Sequence, residues 1–255
     1  QYRFVHYEIA GGVITIRINR PPYNVLDIAT MEEMDAALGR AALEPEARLL
    51  VVTGAGEKAF SAGVDVMDHT ADKVERMIEV FHGMLKRLLA LPMPTVAAVN
   101  GAALGGGCEL AIACDMVLAA RGAKIGQPEI KLGVFPPIAA ILMPRILPMA
   151  KAMELVLGGT PIDADEAHRL GLVNQVLAKE TFAADTAKFL EPFLALSKVA
   201  LLYAKRAIRD AANRPFDEAL ARVELLYLKE LMATEDASEG LNAFIEKRKP
   251  VWKNR

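Results

Sequence analysis

This chain of 255 residues predicts an α/β architecture with largely parallel strands and a helical C-terminal third. Three observations carry that expectation. Short apolar, β-branched runs alternate with helical patterns, two of those runs end in the turns Gly54-Ala55-Gly56 and Asn100-Gly101, and strand signals fade beyond Met149 while helical ones continue. Hydrophobic residues make up 53% and charged residues 24%, an apolar balance that points toward oligomerisation. The formal net charge of −2 draws the molecule neither to nucleic acid nor to an anionic membrane.

The chain opens as a hairpin, Val5 to Ile9 and Val13 to Ile18 around Ala10-Gly11-Gly12, with apolar and polar residues alternating so that one face is buried. Thr30 caps a helix from Met31 to about Ala42, with Glu32 and Glu33 in the first turn where the helix dipole favours carboxylates. Leu49 to Thr53 is continuously apolar, as expected of a strand covered on both faces. A helix over Val74 to Leu91 stops at Pro92 and Pro94, and the strand Thr95 to Val99 follows. Asp115 to Ala120 is a third strand. Helices then cover Ala150 to Leu157, Ala164 to Leu170 behind Asp163 with Glu166 at the third position, Phe193 to Ala212, and Phe216 to Met232.

Cys108 and Cys114 lie in an apolar stretch without metal-ligand spacing and read as reduced core thiols. No basic segment followed by an apolar run opens the chain, and no window reaches ~18 uninterrupted apolar residues, so no membrane is expected and the cytoplasm is the expected compartment.

The stretch Gly101-Ala102-Ala103-Leu104-Gly105-Gly106-Gly107-Cys108-Glu109 lies between a buried strand and an apolar helix. It has neither the Lys-Ser/Thr ending of a phosphate-binding loop nor the glycine spacing of a dinucleotide fingerprint. Three glycines allow a ligand or another backbone to come close, and N–H groups at a helix start are free to meet developing negative charge. A plain tight strand-to-helix turn is the alternative. Glu109, one turn into that helix, is expected to face the interior, where a carboxylate is costly unless paired, capping or catalytic. Capping its own helix is the bland role open to it. Glu129, in Gly126-Gln127-Pro128-Glu129-Ile130, is a second carboxylate in a loop-like segment, and two carboxylates near an anion-stabilising turn suit proton movement at neighbouring carbons. A second turn, Ala59-Phe60-Ser61-Ala62-Gly63-Val64-Asp65, offers either another outward N–H or an ordinary loop.

Taken together, Ala59 to Asp65, Pro94 to Gly101, Leu104 to Leu110, Gly126 to Glu129 and the closing Ala243-Phe244-Ile245-Glu246-Lys247-Arg248 resemble the enoyl-CoA hydratase/isomerase (crotonase) family in order and spacing over nearly the whole chain. The resemblance implies a spiral of ββα units over residues 1–190 carrying a coenzyme A thioester site, and a helical region over 191–255 that mediates assembly into a homotrimer or a hexamer of two trimers. It implies an oxyanion hole from the backbone N–H groups of Val64 and Gly106. Glu109 and Glu129 are implied as acid and base, and Ala62, Asp65, Phe244 and Lys247 as contacts for coenzyme A. No cofactor or metal is implied, because coenzyme A belongs to the substrate.

The departure from the family pattern follows Glu129. Family hydratases usually continue with Pro-Gly-x-Gly-Gly, whereas here the chain reads Gly133-Val134-Phe135-Pro136-Pro137-Ile138-Ala139-Ala140. Pro137 stands where a glycine N–H helps to hold the reacting water in those hydratases, and proline has none. Phe135, Pro137 and Ile138 are expected to reshape the acyl pocket. This Phe-Pro-Pro variant resembles the cyclic dienoyl-CoA hydratases of aromatic degradation. An isomerase or a C–C bond hydrolase on the same scaffold is the alternative. A serine hydrolase is disfavoured, since no Gly-x-Ser-x-Gly elbow exists and none of His6, His69, His82 or His168 is marked as a base. The scattered Lys and Arg form no basic stripe for RNA.

Overall fold

The computed structural model describes residues 2–255. It divides into two compact units: the chain up to Leu91 with Thr95–Ala187, and Pro92–Pro94 with Lys188–Arg255.

The first unit begins with the hairpin β1 (Val5–Ala10) and β2 (Val13–Ile18), paired antiparallel. Gly11 and Gly12, at φ 57° and 81°, supply the two left-handed positions that match a hairpin turn to strand twist. Helix α1 (Ile28–Ala42) starts earlier than Thr30 would allow as a cap. Asp27 caps it instead, its Oδ1 accepting from both Thr30 N at 2.9 Å and Thr30 Oγ1 at 2.6 Å. Glu33, expected to serve the helix dipole, accepts from the backbone N–H groups of Arg3 and Phe4.

Three ββα units follow. They are β3 (Leu49–Gly54), β4 (Ala59–Ser61) and α2 (Val74–Ala90); β5 (Thr95–Val99), β6 (Ala102–Leu104) and α3 (Gly106–Ala113); and β7 (Met116–Ala120), β8 (Lys124–Gly126) and α4 (Pro137–Ile146). Each unit gives its first strand to one sheet and its second to another. Helix α5 (Met149–Gly158), β9 (Ile162–Asp163), α6 (Ala164–Arg169) and β10 (Gln175–Leu177) complete the sheets. Their orders are β1-β2-β3-β5-β7-β10, parallel from β2 onward, and β4-β6-β8-β9. This is the spiral of ββα units that the family resemblance implies. β3 and β5 are buried on both faces, which explains why their sequences are continuously apolar rather than alternating. Asn100 ties two strand ends together, its Oδ1 accepting from Gly54 N at 3.0 Å and its Nδ2 donating to Gly56 O at 2.7 Å.

The helical pattern from Phe193 to Ala212 is not one helix. Helix α7 (Phe182–Leu194) starts before it and ends just inside it, and α8 (Lys198–Ala211) starts anew, because Ser197 caps α8 by accepting from Ala200 N. In the second unit Ser197 Oγ also donates to the buried Asp236 at 2.5 Å, and Asp236 accepts from the backbone of Lys253 and Asn254. Helix α9 (Phe216–Leu225) runs on through a π turn and a 3-10 turn to Ala233, and α10 (Glu235–Ile245) follows. The buried Lys205 of α8 donates to the Met93 carbonyl oxygen at 2.8 Å. Among the described residues, no helix is long and apolar enough to cross a membrane.

Candidate active site

The site grows from two chain turns in the first unit. After β6 the chain turns at Gly105, φ 53°, straight into α3. A Cβ on Gly105 would lie 2.6 Å from Glu129 Oε1, and one on Gly107 would lie 2.3 Å from the Ser61 carbonyl oxygen, so only glycine allows this turn to press against both neighbours. After β4 the second turn, Ala62 to Asp65, lies alongside. A Cβ on Gly106 would sit 3.3 Å from Val64 N, and one on Gly63 3.3 Å from Gly106 N. The two N–H groups named from the sequence, Val64 and Gly106, are therefore neighbours. Gly106 N–H is the first of its helix, where no intrahelical acceptor exists.

Glu109 points inward, 3% exposed. It does not cap its own helix. Its Oε1 accepts from Ile138 N and Ala139 N, each at 2.8 Å, and so caps the start of α4, whose own flanking Pro136 offers no side-chain cap. Pro137 takes the first helical position, where a missing N–H costs nothing. Both of these amide hydrogen bonds go to Oε1. Burial pushes the Glu109 carboxyl up to about 7, the two amides pull the other way, and the charge of Glu129 adds to the rise.

Glu129 sits in the short 3-10 turn Pro128–Leu132. Burial raises its proton affinity too, against the opposing pull of its own backbone N–H and of His69. The fully buried Gln127, with its amide nitrogen turned toward Glu129, donates to both carboxylate oxygens at 3.2 Å. Burial pushes the Cys108 thiol far above its usual range, the charges of Glu109 and Glu129 add to the rise, and the thiol stays protonated.

Beside Val64 opens a cleft of about 660 Å³, lined among others by Arg3, Arg20, Tyr23, Ala62 and Asp65. Arg20 pairs with Asp27, and both Arg3 and Arg20 stack on Phe4. The Asp65 carboxylate caps the next turn by accepting from Met67 N at 2.9 Å. Of the pocket residues named beyond Glu129, Pro137 and Ile138 are half-buried at the start of α4, whereas Phe135 stands 64% exposed. Phe244, 85% exposed, and Lys247 belong to the second unit, at and just beyond the end of α10. The structure thus brings Ala62, Val64, Asp65, Gly106, Glu109, Glu129, Pro137 and Ile138 into one unit. Sequence reasoning missed Gln127, His69, Arg3 and Arg20; only the Gln127-Pro128-Glu129 adjacency marked any of them in advance. Among the described residues no His, Cys, Asp and Glu side chains gather in a group of three that could hold a metal ion.

The profile of the Enoyl-CoA hydratase/isomerase family matches residues 8–255. The chain is 41% identical to a cyclohexa-1,5-dienecarbonyl-CoA hydratase of Thauera aromatica over 98% of this chain and 96% of that protein. It is 38% identical to a probable enoyl-CoA hydratase of Rhizobium meliloti (strain 1021), covering 100% and 99%. A crystal structure of enoyl-CoA hydratase from Bacillus anthracis superposes with a TM-score of 0.94 at 32% identity, covering 99% of this chain and 100% of that one. The chain belongs to the enoyl-CoA hydratase/isomerase family and is an enzyme of that class.

Proposed function

We propose that this enzyme adds water to an α,β-unsaturated acyl-CoA thioester, with Glu109 and Glu129 as one acid/base unit and the N–H groups of Val64 and Gly106 as the oxyanion hole. The observation that carries the reading is the placement of Glu109: buried, anchored through Oε1 at the start of α4, and in the field of Glu129. One carboxyl of the pair serves ionised and the other protonated. As water adds, the ionised carboxylate takes a proton from it, its oxygen bonds to the unsaturated carbon, and the protonated carboxylate delivers hydrogen to the carbon next to the thioester. The thioester oxygen carries the enolate charge in between, and each donor aimed at it is worth about 3 kcal/mol. The guanidinium groups of Arg3 and Arg20 in the adjoining cleft suit the phosphates of the coenzyme A portion.

Within this reading the acyl group is a cyclic conjugated diene. Pro137 supplies no N–H, and a rigid apolar edge at Pro137 and Ile138 suits a planar ring, which loses little entropy on binding. The name of the Thauera aromatica relative fits the same acyl class. Purified enzyme incubated with linear and cyclic enoyl- and dienoyl-CoA thioesters should add the mass of one water. It should prefer the cyclic diene over crotonyl-CoA by at least about tenfold in kcat/KM, equivalent to ~1.4 kcal/mol. Isomerisation at unchanged mass overturns the hydratase reading. Fast crotonyl-CoA hydration with no turnover of the cyclic diene overturns the substrate class alone.

A further inference from the structure

The turn that carries Val64 is held by a segment with no part in the reaction described so far. Val64 pairs with Leu26 in a single parallel bridge. Leu26 N donates to the Gly63 carbonyl oxygen at 2.9 Å, and Asp65 N donates to the Leu26 carbonyl oxygen at 3.1 Å. Such a bridge uses the groups on either side of Val64, so the N–H of Val64 itself points away from Leu26. Ala62 N donates to the Tyr23 carbonyl oxygen at 2.8 Å, so Tyr23 and Leu26 grip the turn at three places. Asn24 lies between them in sequence, fully buried, at φ 50°, a left-handed position uncommon for a residue with a side chain. Its Nδ2 donates to the Ala55 and Ala59 carbonyl oxygens at 2.9 and 2.7 Å, and its Oδ1 accepts from Arg20 N at 3.0 Å. Gly54 makes room for this amide, since a Cβ there would lie 2.7 Å from Nδ2. A buried left-handed residue persists only where its surroundings fix it, and here three hydrogen bonds do so.

We propose that Asn24 is a positioning residue of the oxyanion hole: its amide ties the Arg20–Leu26 segment to the end of β3 and the start of β4, and Tyr23 and Leu26 then fix the turn so that the Val64 N–H is aimed at the thioester oxygen. This rests on the hydratase reading and deepens it. Fully buried, Asn24 acts through the backbone and not on the substrate. A donor held in place beforehand need not reorganise as charge develops on the thioester oxygen. Loosening Asn24 therefore weakens binding of the transition state more than binding of the thioester, whose coenzyme A portion keeps its own contacts.

Asn24→Gly removes all three bonds while tolerating the left-handed backbone. Asn24→Ser is milder, leaving a hydroxyl for one of the anchors. Both are compared with the wild type in hydration and in the infrared band of an isotope-labelled thioester carbonyl in bound butyryl-CoA and cyclohexanecarbonyl-CoA, saturated thioesters that cannot be hydrated. The expected result is a kcat lower by about tenfold or more in Asn24→Gly and by less in Asn24→Ser, with KM within about threefold. The carbonyl band, lowered on binding to the wild type by the two N–H donors, should move back toward its position in the free thioester in the same order. Variants that lose thermal stability yet keep the wild-type kcat and band overturn the proposal, as does a Ser variant that no longer folds, because Asn24 then serves the fold alone. Wild-type hydration without any lowering of the band overturns the oxyanion hole and this role with it. Wild-type enzyme that hydrates none of the thioesters overturns the hydratase reading itself.

Discussion

At the scale of single residues, Glu109 combines a cost with a use. Its helix neighbours are apolar, and only two amides and a neighbouring turn compensate its carboxylate, so its proton leaves at about 7 rather than at the ordinary 4.5. Between those values the folded chain holds a proton that the unfolded chain has lost, so stability is greatest below the lower value and falls as pH rises through the upper one. The full effect is on the order of 3 kcal/mol. Glu109→Gln keeps an oxygen for Ile138 and Ala139 and removes the titration. Urea midpoints measured from about pH 4.5 to about pH 8 should therefore decline in the wild type and decline less in the variant, leaving the slope due to Glu129. Parallel declines contradict the burial of Glu109 as the cause.

At the scale of elements, the β6–α3 turn is the most demanding piece of backbone. Gly105→Ala places a methyl group at a left-handed φ and 2.6 Å from Glu129 Oε1. It should cost about 1–2 kcal/mol of stability and move the carboxylate, lowering kcat by about tenfold or more while the fold survives. Unchanged kcat contradicts the packing of Glu129 on this turn. This element was legible in the sequence because its requirement is local: three consecutive glycines and a carboxylate at fixed spacing. The hairpin and the strands β3 and β5 were legible for the same reason, through alternation or continuous apolarity. Helix α4 was not. Two prolines precede its body and Pro144 lies inside it, and its start is capped from another helix by Glu109, a contact that no local pattern announces. Competition between near neighbours misled in a different way at α1, where Thr30 looks like a cap but is itself bonded to Asp27. Gln127 stands two residues from Glu129, but the turn of its amide toward that carboxylate is set by the 3-10 turn and its burial, which spacing does not announce.

At the scale of the molecule, one unit carries Glu109 and Glu129, and the other is a helical assembly closed by its own C-terminal residues on Asp236. The second unit leaves Ile208, Phe216, Phe244 and Ile245 exposed. We propose that these side chains pack between copies in a trimer or a pair of trimers. Sedimentation equilibrium should give a mass of three or six chains, and a stable monomer contradicts that assembly. The two-carboxylate chemistry is read most directly in the hydration rate of Glu109→Gln and Glu129→Gln, singly and together, on the best thioester. Each single substitution should lower kcat by about a hundredfold or more, with the double variant losing far less than the product of the two because they act as one unit. Near-normal turnover in either single variant would contradict the two-carboxylate mechanism.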